Sequence, residues 1–230
     1  MWPDRLLKLD PIERSAVSWS FIYFFCLLSA YYILRPVRDA MGIAGGVDNL
    51  QWLFSATFIA MLLAVPLYGW AARHFARHRL LPLVYGFFIV NLLIFYALFQ
   101  GQWQQQWVAR VFFVWLSVFN LFVVSVFWSF MSDLFQQAQA RRLFGLIAAG
   151  GSAGAIAGPG LTALISVSVG TSGLLLISAG LLAVAIVCIH QLVGWADKHV
   201  QHDGPHVDDQ ALGGSVLAGF KLLVRSPYLT

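Results

Sequence analysis

RRLFGLIAAGGSAGAIAGPG, residues 141–160, decides how the rest of the chain is read. It opens on a basic doublet, Arg141-Arg142, and runs into glycines spaced G-x8-G-x3-G-P at Gly145, Gly154 and Gly158-Pro159. Each glycine in a helix interior costs up to ~1 kcal/mol relative to alanine, so a water-exposed helix would not carry this many. In a bilayer the same residues let two backbones approach closely. Gly150, Gly154 and Gly158 form a small-xxx-small row suited to that purpose.

Composition agrees with a membrane setting. The chain has 230 residues, 60% hydrophobic and 10% charged, with mean hydropathy +0.76. A soluble domain carries roughly 25% charged residues, so there is too little polar surface here to cover a globule. The net charge of +4 is scattered between apolar runs and forms no nucleic-acid stripe. Cys26 and Cys188 both fall in apolar runs and indicate neither a disulfide framework nor a metal motif. The first apolar run is too long for a signal peptide and has no A-x-A site after it, so it reads as an uncleaved span.

Six runs can cross a bilayer: about 15–34, 49–72, 80–99, 111–132, 143–168 and 171–196. A hydrocarbon core of ~30 Å needs about 20 helical residues. Lipid forces each span to be helical, because no water is present to satisfy the backbone. No charge occurs between Arg142 and Asp197, so two of the spans are joined by a tight turn near Val169-Gly170-Thr171. With a cytoplasmic N-terminus (1–14), the inside segments hold Arg5, Lys8, Arg14, Arg73, Arg77, Arg79, Arg141, Arg142, Lys198, Lys221 and Arg225. The outside segments hold only Arg35, Arg38 and Arg110, a positive-inside asymmetry that fits a bacterial inner membrane. Trp103, Trp107 and Trp2 suit interfacial belts. The spans make up a six-helix lobe over 15–196. A polar cytoplasmic linker follows at 197–213, then an amphipathic helix at 214–230 that leads toward a further span.

Charge at membrane depth is costly and marks candidate chemistry. In YYILRPVRDAMGIAGG, residues 31–46, Arg35, Arg38 and Asp39 lie at the outer end of the first span. If the helix continues past Pro36 they share a face, with Arg35 and Asp39 at i, i+4. A guanidinium matches carboxylate or phosphate, so the pair of arginines reads as an anion site, or else as an interfacial anchor with a local ion pair.

These residues also carry a resemblance. ILRPVRD resembles the I-L-R-D-T-K-D segment of the ATP/ADP translocase family of nucleotide transporters. VFWSFMSDLFQQAQARRLFGLIAAGGSAGAIAGP resembles that family's fourth-to-fifth helix region. Arg38 stands at the family's lysine and Pro36 at an acidic residue. Leu116 falls near a glutamate that the family uses for nucleotides, which leaves Asn120 and Trp128 as the polar and stacking candidates on helix four. The glycine ladder is similar to the antiporter motif of the major facilitator superfamily, G-x8-G-x3-G-P-x2-G, with Thr162 in place of the last glycine. That resemblance implies either static packing or a pliable seam between two lobes, with Pro159 freeing a carbonyl. GWAARHFARHR, residues 69–79, resembles the superfamily's loop between helices two and three. Arg73, Arg77 and Arg79 would there brace a cytoplasmic gate with Asp133, next to Arg141 and Arg142.

His199, His202 and His206 with Asp203, Asp208 and Asp209 have no metal-motif spacing and read as a solvated linker. Gly150-Gly151-Ser152 lacks the lysine of a phosphate loop, and no nucleophile–base set supports an enzyme. The sequence thus predicts an all-α membrane protein and no cofactor. It would be one lobe of an alternating-access transporter for an anionic solute, a nucleotide being the one the resemblance implies, partnered by a C-terminal six-helix lobe. The alternatives are a non-transporting six-helix scaffold and a transporter of a peptide, sugar or drug.

Overall fold

The computed structural model describes residues 11–44, 50–74, 77–101 and 105–199, with side chains at 11–12, 44, 71–74, 77–79, 105 and 199 outside the description. Five continuous helices result: α1 (Pro11–Ala44), α2 (Leu50–His74), α3 (Arg77–Gln100), α4 (Gln105–Leu134) and α5 (Gln137–His199). All five are long and apolar enough to cross a membrane. α5 has 63 residues and contains one non-helical position, Gly170, at φ 68 and ψ 175. That left-handed backbone suits glycine alone and falls at the turn expected at 169–171. It splits α5 into two arms, 137–169 and 171–199, so the described residues form an all-α lobe of six spans.

Contacts on both sides of Gly170 show that the arms fold back on each other. Thr162 of the first arm donates its hydroxyl to the Ile33 carbonyl of α1 at 3.2 Å, and Ser178 of the second arm donates to the Ala30 carbonyl at 2.9 Å. Phe135, just before the first arm, meets Trp195 near the end of the second, with ring centroids 6.3 Å apart. α1 is therefore gripped by both arms, and it is the most deeply buried span.

The first arm runs parallel to α1 in a fixed register. Glu13 and Arg142 are in contact, as are Ile33 and Thr162, and each pair is separated by 129 residues. Phe21 with Gly150, Phe25 with Gly154 and Ser29 with Gly158 repeat the same offset at four-residue steps. Two i±4 rows meet along about five turns, the close-contact arrangement of small-xxx-small helix pairs. A Cβ on Gly150 would come 2.5 Å from the Phe21 carbonyl oxygen, and one on Gly154 would come 2.4 Å from that of Phe25. Only glycine fits there. Thr162 continues the row where the antiporter pattern has glycine, and spends its hydroxyl on the Ile33 and Gly158 carbonyls.

The glycine row packs against α1 of the same lobe, the static close packing that was one of its two readings. Gly145 belongs to the sequence pattern but not to the row, since nothing lies within 4 Å of a Cβ placed there. Pro159 is exposed and α5 continues through it, as α1 does through Pro36. Neighbouring helices in a bilayer re-satisfy the backbone groups that a proline frees.

The remaining core is aromatic. Phe24 stacks on Phe127 at 4.1 Å, and Phe88, Phe95, Phe112, Trp115 and Phe119 knit α3 to α4. Tyr23 and Tyr85, both fully buried, join α1 to α3 by a 2.6 Å hydrogen bond between their hydroxyls.

Candidate functional site

α1 extends ten residues beyond the span predicted to end at Leu34, and this carries Arg35, Arg38 and Asp39 on helix rather than loop. Asp39 pairs with its neighbour Arg38, not with Arg35 at i, i+4. Nε and Nη2 of Arg38 both donate to Asp39 Oδ1, at 2.9 and 2.7 Å. The reason is the direction in which Arg38 is drawn. Its guanidinium leans onto α4, 5.1 Å above the Phe113 ring, with Nη1 3.5 Å from Ser117 Oγ. Gly42 makes room for that ring, since a Cβ there would meet Phe113 at 3.0 Å. Arg35 turns away and lies 5.7 Å over Tyr32, which packs beside Gly158 of α5. The two arginines therefore serve different helix interfaces.

The Arg38 side chain is 18% exposed and that of Asp39 is 51% exposed. A cation is thus held in place by α1 and α4 while its carboxylate partner remains accessible. Ser117, Asn120 and Trp128 follow on one stripe of α4 at helical spacing. Asn120 is half-buried there. Trp128 is packed among Phe24, Phe127 and Phe144, which makes it part of the aromatic core.

At the opposite end of α1, Glu13 is buried, and both its oxygens accept from Arg142 Nη2, at 2.9 and 3.0 Å. Gln139 Nε2 also donates to Glu13 Oε1 at 3.0 Å, while Gln139 Oε1 accepts from the Gln136 amide. The second of these is half of a capping box, so the start of α5 is capped and tied to α1 by one glutamine. Arg141, next along, is exposed, and so is Asp133. The side chains of Arg73, Arg77 and Arg79, proposed partners of Asp133, lie outside the described residues.

Sequence reading missed Glu13, Ser117 and Arg110. Glu13 is one of three acids set against three basic residues in segment 1–14, and its signal was an acidic first-turn residue with an uncancelled Arg-Arg doublet elsewhere. Arg110 counted only toward topology; its guanidinium lies 5.0 Å over Trp107. The linker 197–213, its His/Asp cluster and the segment 214–230 lie outside the described residues apart from the end of α5.

No curated protein and no solved structure matches the chain. The sequence profile of the Major Facilitator Superfamily matches residues 15–230. With six helical spans, an in-register glycine seam and a match that covers nearly its whole length, the chain belongs to the Major Facilitator Superfamily and is a multi-pass membrane protein of the secondary-transporter class.

Proposed function

We propose that this chain supplies one lobe of an alternating-access transporter for a small anionic solute, with Arg38 as its recognising cation. The observation that carries the reading is the Arg38–Asp39 arrangement: a guanidinium fixed against Phe113 and Ser117, with a carboxylate half in solvent occupying its fork. An arriving carboxylate or phosphate can set two oxygens against the Nε and Nη2 donors that Asp39 holds with one, and so displaces it. Asp39 then serves as the counter-ion of the empty state, so that the arginine is not left uncompensated when no solute is bound. Arg35 would attract the anion from outside, and Asn120 lies one turn beyond Ser117 on α4. Arg141, Arg142 and Asp133 belong to the cytoplasmic end, where Arg73, Arg77 and Arg79 would complete a gate.

A nucleotide is the first anion to test, because of the ILRPVRD resemblance, and exchange is the first mode. The excess of Lys and Arg on one side supports a cytoplasmic N-terminus in a bacterial inner membrane. A second six-helix lobe would complete the site. The test is uptake of labelled nucleotides and organic anions by full-length protein in liposomes. Arg38→Ala abolishes uptake, while Asp39→Asn keeps exchange but slows net uptake, since the empty carrier has lost its counter-ion. Equal uptake by wild type and Arg38→Ala would overturn the proposal.

A further inference from the structure

Between α2 and α4 lies a cleft of about 550 Å³, walled by Trp52, Ala56, Trp107, Val114 and Trp115, with Arg110 as its one charged side chain. The cleft is separate from Arg38, which faces Phe113 and Ser117 further along α4. Arg110 lies within the first two turns of α4, which begins at Gln105, and its guanidinium rests on the Trp107 ring. A cation backed by indoles this close to a helix end is at headgroup depth.

The wall on α2 does not stop at the cleft. Trp52, Ala56, Ile59, Leu63 and Trp70 recur at helical spacing along one stripe of α2. Trp52, Ile59, Leu63 and Trp70 are 68, 55, 69 and 54% exposed, and only 6% of the α2 span is buried. From Trp52 to Trp70 the stripe covers about 27 Å at 1.5 Å per residue, close to the ~30 Å hydrocarbon thickness, with an indole at each end. A site for a water-soluble ion would gather several polar groups around it. This one offers a single fork for an anion at the top of a long apolar track.

We infer that the α2/α4 cleft binds an anionic phospholipid, with the headgroup phosphate on Arg110 and an acyl chain along the Trp52–Trp70 stripe. Arg supplies parallel donors to two phosphate oxygens, and Trp107 holds the guanidinium flat for them. The inference is independent of which solute Arg38 recognises.

Native mass spectrometry of the full-length protein, released from micelles doped with dioleoyl phosphatidylglycerol or dioleoyl phosphatidylcholine, tests it. Both lipids carry the phosphate, but the choline ammonium cancels its charge and sets a second cation beside Arg110, so wild type retains the glycerol lipid at least tenfold better than the choline lipid. Arg110→Ala loses that preference and Arg110→Lys keeps part of it. Ala56→Phe, which fills the cleft with Arg110 intact, lowers retention of the glycerol lipid at least fivefold, and it decides the matter if Arg110→Ala does not fold. Sodium benzoate and inorganic phosphate at 10 mM leave retention unchanged. Equal retention by wild type and Ala56→Phe overturns the inference. So does displacement of the lipid by benzoate or phosphate, which would make the cleft a site for soluble anions.

Discussion

Gly154→Ala adds one methyl group at the centre of the seam between α1 and α5. The new carbon would lie 2.4 Å from the Phe25 carbonyl oxygen and 3.1 Å from the Ser29 amide nitrogen. A carbon–oxygen contact settles near ~3.3 Å, so the helices must part by about 1 Å at this point. The obstacle is backbone on a parallel helix, and no side chain can swing aside to relieve it. Overpacking of this kind costs roughly 1–3 kcal/mol. Parting the helices also breaks the 3.3 Å bond from Ser29 Oγ to the Gly154 carbonyl, worth about 1 kcal/mol. The gain in helix propensity returns up to ~1 kcal/mol. The net is about 2 kcal/mol, or roughly 30-fold in the unfolding equilibrium. Gly145→Ala is the matched control: it occupies the same sequence pattern but meets nothing within 4 Å, so it is neutral or gains up to ~1 kcal/mol. Reversible unfolding of the full-length protein by SDS in mixed micelles, followed by circular dichroism, measures both. If Gly154→Ala unfolds at the same SDS fraction as Gly145→Ala, or a higher one, the in-register seam is wrong.

Three further outcomes follow from named contacts. Glu13→Ala removes the acceptor shared by Arg142 and Gln139, and a double-mutant cycle with Arg142→Ala in the same unfolding assay gives a coupling of about 1 kcal/mol, kept small by the 37% exposure of the arginine. Tyr23→Phe and Tyr85→Phe each cost roughly 1–2 kcal/mol by stranding the other hydroxyl, while the double variant recovers most of the loss; additive losses would show that the two hydroxyls are not bonded. Thr162→Val keeps the shape of the row but leaves the Ile33 carbonyl without its cross-helix donor, a loss of about 1 kcal/mol that Thr162→Ser restores in the same measurement.

Much of the fold is legible along the chain because the bilayer imposes it locally. Apolar length marks each span, and the charge-free interval from Arg142 to Asp197 can hold two helices only if it turns, which it does at Gly170. The glycine row is equally legible as a close-packing surface. What the sequence does not contain is the surface opposite. Gly150, Gly154 and Gly158 fit any neighbour whose backbone comes near, and only the constant 129-residue register identifies α1. The candidate site is hidden for the same reason. Helical spacing offered Arg35 as the partner of Asp39, but Phe113 and Ser117, on another helix, fix Arg38 where Asp39 can reach it. Glu13 looked like one more residue of a soluble tail, because the arginine that buries it is more than half the chain away.

The most direct test of the account is anion-dependent stabilisation of the full-length protein in detergent. A ligand at 100 times its Kd adds about 2.7 kcal/mol to apparent stability. Thermal unfolding is recorded with a panel of nucleotides, phosphates and organic carboxylates for wild type, Arg38→Ala and Arg38→Lys. The account predicts that at least one anion raises the unfolding temperature of wild type, that Arg38→Lys keeps a reduced shift, and that Arg38→Ala shows none. An anion that stabilises wild type and Arg38→Ala equally would contradict the assignment of Arg38 as the residue that recognises the solute.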